Sequence, residues 1–330
     1  MIYRKIGESG IEASVIALGT WVMGGWMWGG ADEKESINAI DAAIDSGINL
    51  IDTAPVYGFG VSEEIVGKAI KGKRDKVILA TKCGLRWDIE QGDFYFHSST
   101  KGISKAEADL KVYKFLGAES IAKEIELSLK RLQVDYIDLY QTHWQESTTP
   151  IEDSMAMLLK LKDQGKIRAI GVSNATPEHM KKYGGIDSDQ EKYSMFARAI
   201  EERGNVQYCI ENNIAVLAYS PLAQGLLTGK ISADRKFNEG DVRLTNPLFN
   251  QENLVKVSAF CNDIMFIAEE HSATLGQIAL AWTFSRRGIT HLLCGARTPA
   301  QAVENAGAGK IILGDDQISI IDSRFVKYFG

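Results

Sequence analysis

The sequence predicts an α/β fold, a (β/α)8 TIM barrel whose bottom is closed by an N-terminal β-hairpin. Short apolar runs alternate with longer segments of helical period, eight of those runs read as strands, and no Pro/Ser-rich or low-complexity stretch divides the chain. Such alternation calls for parallel strands joined by right-handed crossovers, and eight parallel strands close on themselves. With 330 residues, 45% of them hydrophobic and 24% charged, the chain can bury one large core, so residues 1–330 are read as one barrel domain.

The elements follow in order. "YRKIGESGIEASVIALG" reads as two short strands around Glu8-Ser9-Gly10, a hairpin placed to plug the barrel bottom. The barrel strands are Val15–Gly19, Leu50–Asp52, Val77–Lys82, Ile137–His143, Ile167–Ser173, Asp187–Gln190, Ile214–Tyr219 and His291–Gly295, the sixth being the most polar. Between them, amphipathic segments such as Lys34–Ser46, Ser62–Ile70, Ser120–Leu132 and Ile151–Gln164 read as helices, several opening on the Asp, Ser or Pro that favours a helix start. Three connections are long, Gly24–Ala31, Cys83–Gly117 and Leu222–Asn253, and long loops in compact domains usually carry function.

Charge and cysteine usage narrow the function classes. A formal charge of −6 and scattered Lys and Arg argue against nucleic acid as a partner. "IYRKIGESG" after Met1 is not a leader, and no apolar run approaches a membrane span, so the expected location is cytoplasmic. Cys83, Cys209, Cys261 and Cys294 are far apart, which indicates reduced thiols and no metal site.

In a barrel of this kind the C-terminal strand ends form the active face. That rule singles out Asp52, Lys82, His143, Ser173-Asn174, Gln190 and Tyr219, with Tyr57 one short turn beyond Asp52. Each has a plainer reading: helix cap, rim charge, core histidine or wall residue. Together they form a circuit. A phenol of pKa about 10 becomes a better acid beside an ammonium, a role open to Lys82, while Asp52 would hold that ammonium and offset its desolvation. A neutral His143 would hydrogen-bond a carbonyl oxygen and steer it towards Tyr57. Proton delivery is half of a reduction; the other half is a hydride, which no side chain supplies, so a nicotinamide cofactor is implied.

At these residues the chain resembles the aldo-keto reductases, and among them the bacterial general-stress group. The resemblance runs through "ALGTW", "IDTAPVYGFGVSEEIVGKAI", "ILATKCG", "SLKRLQVDYIDLYQTHW", "GKIRAIGVSN", "LAYSPLAQGLLTGK" and "GARTPAQAVENAGA", nearly the whole chain. It implies the barrel with a bottom hairpin and a catalytic tetrad of Asp52, Tyr57, Lys82 and His143. It also implies that Ser173, Asn174 and Gln190 hold the nicotinamide carboxamide, Tyr219 stacks on the ring, and Thr20 and Trp21 border the ribose. Ser220, Leu222, Gln224 and Gly225, with Lys230 and Arg243, would contact the pyrophosphate. At the adenosine end Arg297 would pair with a 2′-phosphate, and Gln301, Glu304 and Asn305 would meet phosphate and adenine. Many relatives carry Lys and Arg where this chain has Gly295 and Gln301, leaving one strong cation. NADP(H) is therefore expected, with NADH as a weaker alternative.

Two competing readings stand beside this one. "GFGVSE" opens a helix after a strand as a Rossmann turn does, but Glu63 occupies the place of its third glycine. The family scaffold also serves as a redox-sensing potassium-channel subunit with poor turnover, and no interaction tail is expected before Met1 or after Gly330. The expected partner is a small carbonyl compound, with self-association left open. Trp21, Trp26, Trp28, Trp87 and Trp144 predict an aromatic-walled substrate pocket, suited to apolar aldehydes and sugar faces alike. "DFYFHSSTKG" (Asp93–Gly102) is read as a lid or a surface hairpin, the lid favoured by its aromatics.

Overall fold

The structure is a computed structural model that describes residues 1–99, 109–232 and 235–330. The chain opens with β1 (Tyr3–Lys5) and β2 (Glu12–Ser14), an antiparallel pair joined through the Glu8-Ser9-Gly10 turn. Eight parallel strands then close on themselves in chain order: β3 (Ile16–Gly19), β4 (Leu50–Asp52), β5 (Ile78–Cys83), β9 (Ile137–Thr142), β10 (Ile167–Ser173), β11 (Ser188–Lys192), β12 (Ala215–Tyr219) and β13 (Ile289–Gly295), with β13 paired back on β3. Every expected barrel strand is present, with ends that match or move by one or two residues.

Helices fill the crossovers: α1 (Glu33–Asp45), α2 (Val61–Ile70), α3 (Ala118–Leu132), α4 (Ile151–Asp163), α5 (Pro177–Tyr183), then α6 (Ala199–Glu202) with α7 (Asn205–Glu211). After β12 come α8 (Gln251–Asp263), α9 (Met265–Glu270) and α10 (Leu275–Ser285), and after β13 α11 (Pro299–Ala308) and α12 (Asp315–Phe329). Their starts are chemically marked. The Asp32 carboxylate accepts from the Glu35 N–H at 2.8 Å, and Thr274 with Gln277 forms a reciprocal capping box on α10. On α1 the buried positions Ser36, Ala39, Ile40 and Ala43 fall at helical spacing, which turns one face onto the barrel. Among the described residues no helix is long and apolar enough to cross a membrane.

Strand alternation sorts the core into two layers. Outward-facing residues such as Leu18, Ile51, Leu79 and Tyr140 pack against the helices. Inward-facing Ala17, Leu50, Ala80, Leu139, Ala169, Leu217 and Leu293 fill the barrel, and the hairpin's Ile6, Ile11 and Ala13 join them, sealing the bottom with apolar side chains. Above this plug the interior becomes polar, and the site begins there.

The Cys83–Gly117 connection is more than a loop. It folds into an antiparallel sheet of β6 (Leu85–Arg86), β8 (Leu110–Lys114) and β7 (Asp93–Ser98), which is anchored where the Arg86 guanidinium meets Ser120 and Glu124 of α3. Of the segment read as a lid, Asp93–Ser98 is a strand, and residues 100–102 lie outside the described residues.

Candidate active site

Asp52, Lys82 and Gln190 point inward from the upper ends of β4, β5 and β11, one layer above the apolar plug. The Lys82 ammonium donates to Asp52 Oδ1 at 2.5 Å, to the Thr53 carbonyl at 2.9 Å and to the Tyr57 hydroxyl at 3.3 Å. Tyr57 reaches this position from a tight turn between β4 and α2. Gly58 there has φ +68° and lies so close to Gly24 that an added Cβ would meet the Gly24 carbonyl oxygen at 2.4 Å, so only glycine fits. The same contact presses the first long loop onto the tyrosine turn. His143 follows β9 and meets the Tyr57 ring edge to face, centroids 5.7 Å apart. The four residues named from sequence therefore converge within one cluster.

Burial sets their protonation. Desolvation, and after it the Asp52 carboxylate, holds the Tyr57 phenol well above its ordinary value. The ammonium does not prevail as an acid-strengthening neighbour, because Asp52 at 2.5 Å compensates its charge. Lys82, fully enclosed, is lowered by desolvation against the opposing pull of Asp52. His143 is held well below the usual imidazole range by burial and by Lys82, which makes it a neutral imidazole at neutral pH. The cluster thus holds a protonated phenol and a neutral imidazole.

From this cluster a cavity of about 840 Å3 extends to α11. Its near end is apolar: Trp21, Trp26, Trp28 and Trp144 line it, joined by Tyr95 and Phe96 from the extra sheet. The Trp26 indole N–H donates to Ser98 Oγ at 2.9 Å, tying the first loop to that sheet. Trp87 is the exception among the expected tryptophans, since it packs edge-on against Phe59 and stands outside the lining.

The cofactor residues named from sequence all face this cavity: Thr20, Ser173, Asn174, Gln190, Tyr219, Ser220, Leu222, Gln224, Gly225, Lys230, Arg243, Gly295, Arg297, Gln301, Glu304 and Asn305. Their present partners are specific. Asn174 has φ +55°, a strained left-handed value just beyond β10, and its amide donates to the His143 carbonyl and to Ser173 Oγ, both at 3.0 Å, while its oxygen accepts from the Tyr219 hydroxyl at 2.9 Å. Gln190, expected at a carboxamide, donates to Asp52 Oδ2 at 2.9 Å. Lys230 and Glu304, expected at pyrophosphate and adenine, pair with each other at 2.6 Å and close the far end.

The connection after β12 lines the cavity as a clasp, through Leu222, Gln224, Lys230 and Arg243, and is held by Asp241, which the sequence reading passed over. Its carboxylate accepts from Arg243 Nε at 3.0 Å and Nη2 at 2.7 Å, and Arg243 lies over the Trp28 ring at 5.3 Å. Arg297 also lies against Trp28, 5.7 Å from its ring centroid, and donates to its carbonyl at 2.5 Å. An elongated cavity lined by four cations, Lys230, Arg235, Arg243 and Arg297, with left-handed turns at Ser220, Gln224 and Gly225, fits a dinucleotide whose charges lie away from the tetrad. Glu63, in the pseudo-Rossmann turn, is buried instead between Thr81 at 2.7 Å and Arg131 at 2.6 Å and stands outside the lining of this cavity.

Comparison with known proteins agrees with this fold. The family model of the aldo/keto reductases matches residues 15–324. Aldo-keto reductase YhdN of Bacillus subtilis is 43% identical over 307 residues, 91% of this chain and 86% of its own length. The NADH-specific methylglyoxal reductase of Escherichia coli is 39% identical over 325 residues, covering 96% of each chain. Among solved structures, the glycerol dehydrogenase AKR11B4 of Gluconobacter oxydans superposes with a TM-score of 0.86 at 38% identity, over 99% of this chain and 95% of its own. An aldo-keto reductase of Klebsiella pneumoniae solved with NADPH gives a TM-score of 0.72 at 28% identity, over 98% and 96%.

Proposed function

Because the chain belongs to the aldo/keto reductase family of oxidoreductases, we propose that its barrel mouth reduces small aldehydes or ketones, sugars included, to alcohols, with Tyr57 as the proton donor and NADP(H) as the preferred cofactor. The observation that carries this reading is the Tyr57 hydroxyl, set 3.3 Å from Lys82 Nζ on one side, flanked by His143, and facing an apolar-walled cavity. A reduced nicotinamide bound in the cavity supplies the hydride.

The chain's own residues supply the rest. The neutral His143 donates a hydrogen bond to the substrate oxygen and orients it towards Tyr57. As negative charge builds on that oxygen, the Tyr57 O–H bond breaks and the proton passes to it. The phenolate left behind is stabilised by the Lys82 ammonium, which Asp52 holds in place. Trp21, Trp26 and Trp144 exclude water from the reacting centre. Arg297, Arg243 and Lys230 would hold the phosphates, and Ser173 with Asn174 would meet the carboxamide. A single guanidinium at the adenosine end favours NADPH and leaves NADH as a weaker cofactor. The Escherichia coli relative named for NADH specificity makes the comparison of the two cofactors a direct part of the test.

The test is loss of reduced-nicotinamide absorbance with methylglyoxal, glyceraldehyde and an aryl aldehyde, run with NADPH and NADH in parallel. We expect many turnovers per site with at least one carbonyl and a lower KM for NADPH. Binding of cofactor with less than one turnover across the panel would replace the reductase with a redox-sensing subunit.

A further inference from the structure

We propose that Gln141 is a positioning residue of the reductase centre, gripping the Asp52 carboxylate by the oxygen that Lys82 leaves free. Lys82 takes Asp52 Oδ1, while Oδ2 accepts from the Gln141 side-chain amide at 3.1 Å and from that of Gln190 at 2.9 Å. Gln190 also lies 3.3 Å from Gln141 Oε1, so the two glutamines brace each other. The carboxylate is therefore fixed at both oxygens, by side chains from β5, β9 and β11.

The backbone is arranged to admit this side chain. Gln141 pairs in register with Lys82 on one side and with Gly171 on the other. A Cβ at Gly171 would meet Gln141 Cγ at 2.8 Å and Ser188 Oγ at 2.3 Å. The missing side chain on β10 is the space in which Gln141 crosses the barrel. Gln141 is completely buried and stands outside the cavity lining, so its part is to hold Asp52 and not to touch a ligand.

The consequence runs through Lys82. The groups facing that ammonium are Asp52 from β4, Tyr57 from the following turn, Glu63 from α2 and His143 after β9. Of these, Asp52 does most to keep Lys82 charged against desolvation. With Gln141 gone, Oδ2 keeps only Gln190, which itself loses its brace, so Asp52 is held less firmly, Lys82 loses part of that support, and the ammonium is lost at lower pH.

The inference rests on the reductase reading, and two measurements separate their failures. In Gln141→Met, kcat should fall about tenfold or more from misplacement of the tetrad. KM and cofactor Kd should stay within about twofold, since neither ligand contacts Gln141. The alkaline limb of the kcat profile should move to lower pH. Unchanged kcat and limb, or a loss of cofactor affinity as large as the loss of kcat, would overturn the proposal. The second measurement needs no turnover. Gln141→Met should lower Tm in the wild-type chain but not in an Asp52→Leu/Lys82→Met background, where the ion pair is replaced by apolar side chains. Equal drops in both backgrounds would show that Gln141 serves packing alone, and this holds even if the wild-type protein reduces no carbonyl.

Discussion

Tyr57 can be altered with little structural cost, and that makes it the sharpest test at the scale of single residues. Lys82 and Asp52 are a fully buried ion pair, and removing one partner from such a pair costs about 3–5 kcal/mol because the other charge is left unpaired. A loss of activity in Lys82→Met would therefore mix chemistry with folding. The Tyr57 hydroxyl is different, since Lys82 keeps Asp52 and the Thr53 carbonyl when it goes. Tyr57→Phe should lower carbonyl reduction by about 10²–10⁴-fold, the usual share of a general acid. Cofactor Kd, followed by fluorescence quenching, should change by less than about twofold. Turnover near the wild-type rate would remove Tyr57 from the mechanism. Asp52, Lys82 and His143 were legible in sequence because each closes an apolar strand with a polar group, and Tyr57 because it follows Asp52 by one short turn. Gln141 was not, because it sits one residue inside a strand, where a polar side chain reads as a solitary exception; only Gly171 on the adjacent strand explains it.

At the scale of elements, legibility depended on whether the partners of a segment were near in sequence. The polar sixth strand was the weakest reading, and its polarity has a local cause. Asp189 and Glu191 point outward from β11 and accept from Asn205, with Arg203 pairing Glu191, so charge replaces the usual aliphatic contact with a helix. In the Cys83–Gly117 connection the hairpin alternative for Asp93–Gly102 named only part of the sheet, because β7 pairs with β8 across a long gap in the chain. The clasp was seen as a segment but not as a set of contacts, since Lys230 meets Glu304 and Arg297 meets Trp28 only in the folded barrel. These contacts refine what Arg297 should do. Its guanidinium is half-buried and bound at one Nη to the Trp28 carbonyl, which orients it and leaves its remaining donors for a phosphate. Arg297→Ala should weaken NADPH binding by about one to two orders of magnitude. The loss should shrink at high salt, as expected for a partly exposed pair. NADH binding should fall far less, by whatever the loosened Trp28 loop contributes. Equal losses for both cofactors would assign Arg297 to that loop and not to the 2′-phosphate.

For the whole molecule, a buried histidine at the barrel bottom is one of the groups through which stability follows pH. His291 lies on β13 beneath the apolar plug, fully buried, and its Nδ1–H donates to the Ser14 carbonyl at 3.0 Å, which joins the hairpin to the barrel wall. Burial depresses its pKa to about 4. In the unfolded chain a histidine titrates near about 6.5, so below that pH the unfolded state takes up a proton that the folded state refuses. The stability this group contributes is present above about pH 6.5 and is lost as pH falls through about 4, a change of about 3 kcal/mol for a shift of this size. His143 acts in the same direction, held neutral by burial and Lys82. Glu124 opposes them: burial raises its carboxyl to about 7, so its contribution is present in acid and is lost as pH rises through that value. The sum over these groups is a broad curve in which no single residue is visible, and a variant is needed to isolate one. His291→Asn keeps a donor near Ser14 but cannot take up a proton. Denaturant unfolding at pH 7 and pH 4 should show the variant losing less stability than the wild-type protein, with the difference approaching about 3 kcal/mol. Its absolute stability at pH 7 is not the readout, because the smaller side chain leaves a gap beneath the plug. Parallel losses in the two proteins would mean that His291 takes up its proton without leaving the fold, and that the acid limit of the barrel is set elsewhere.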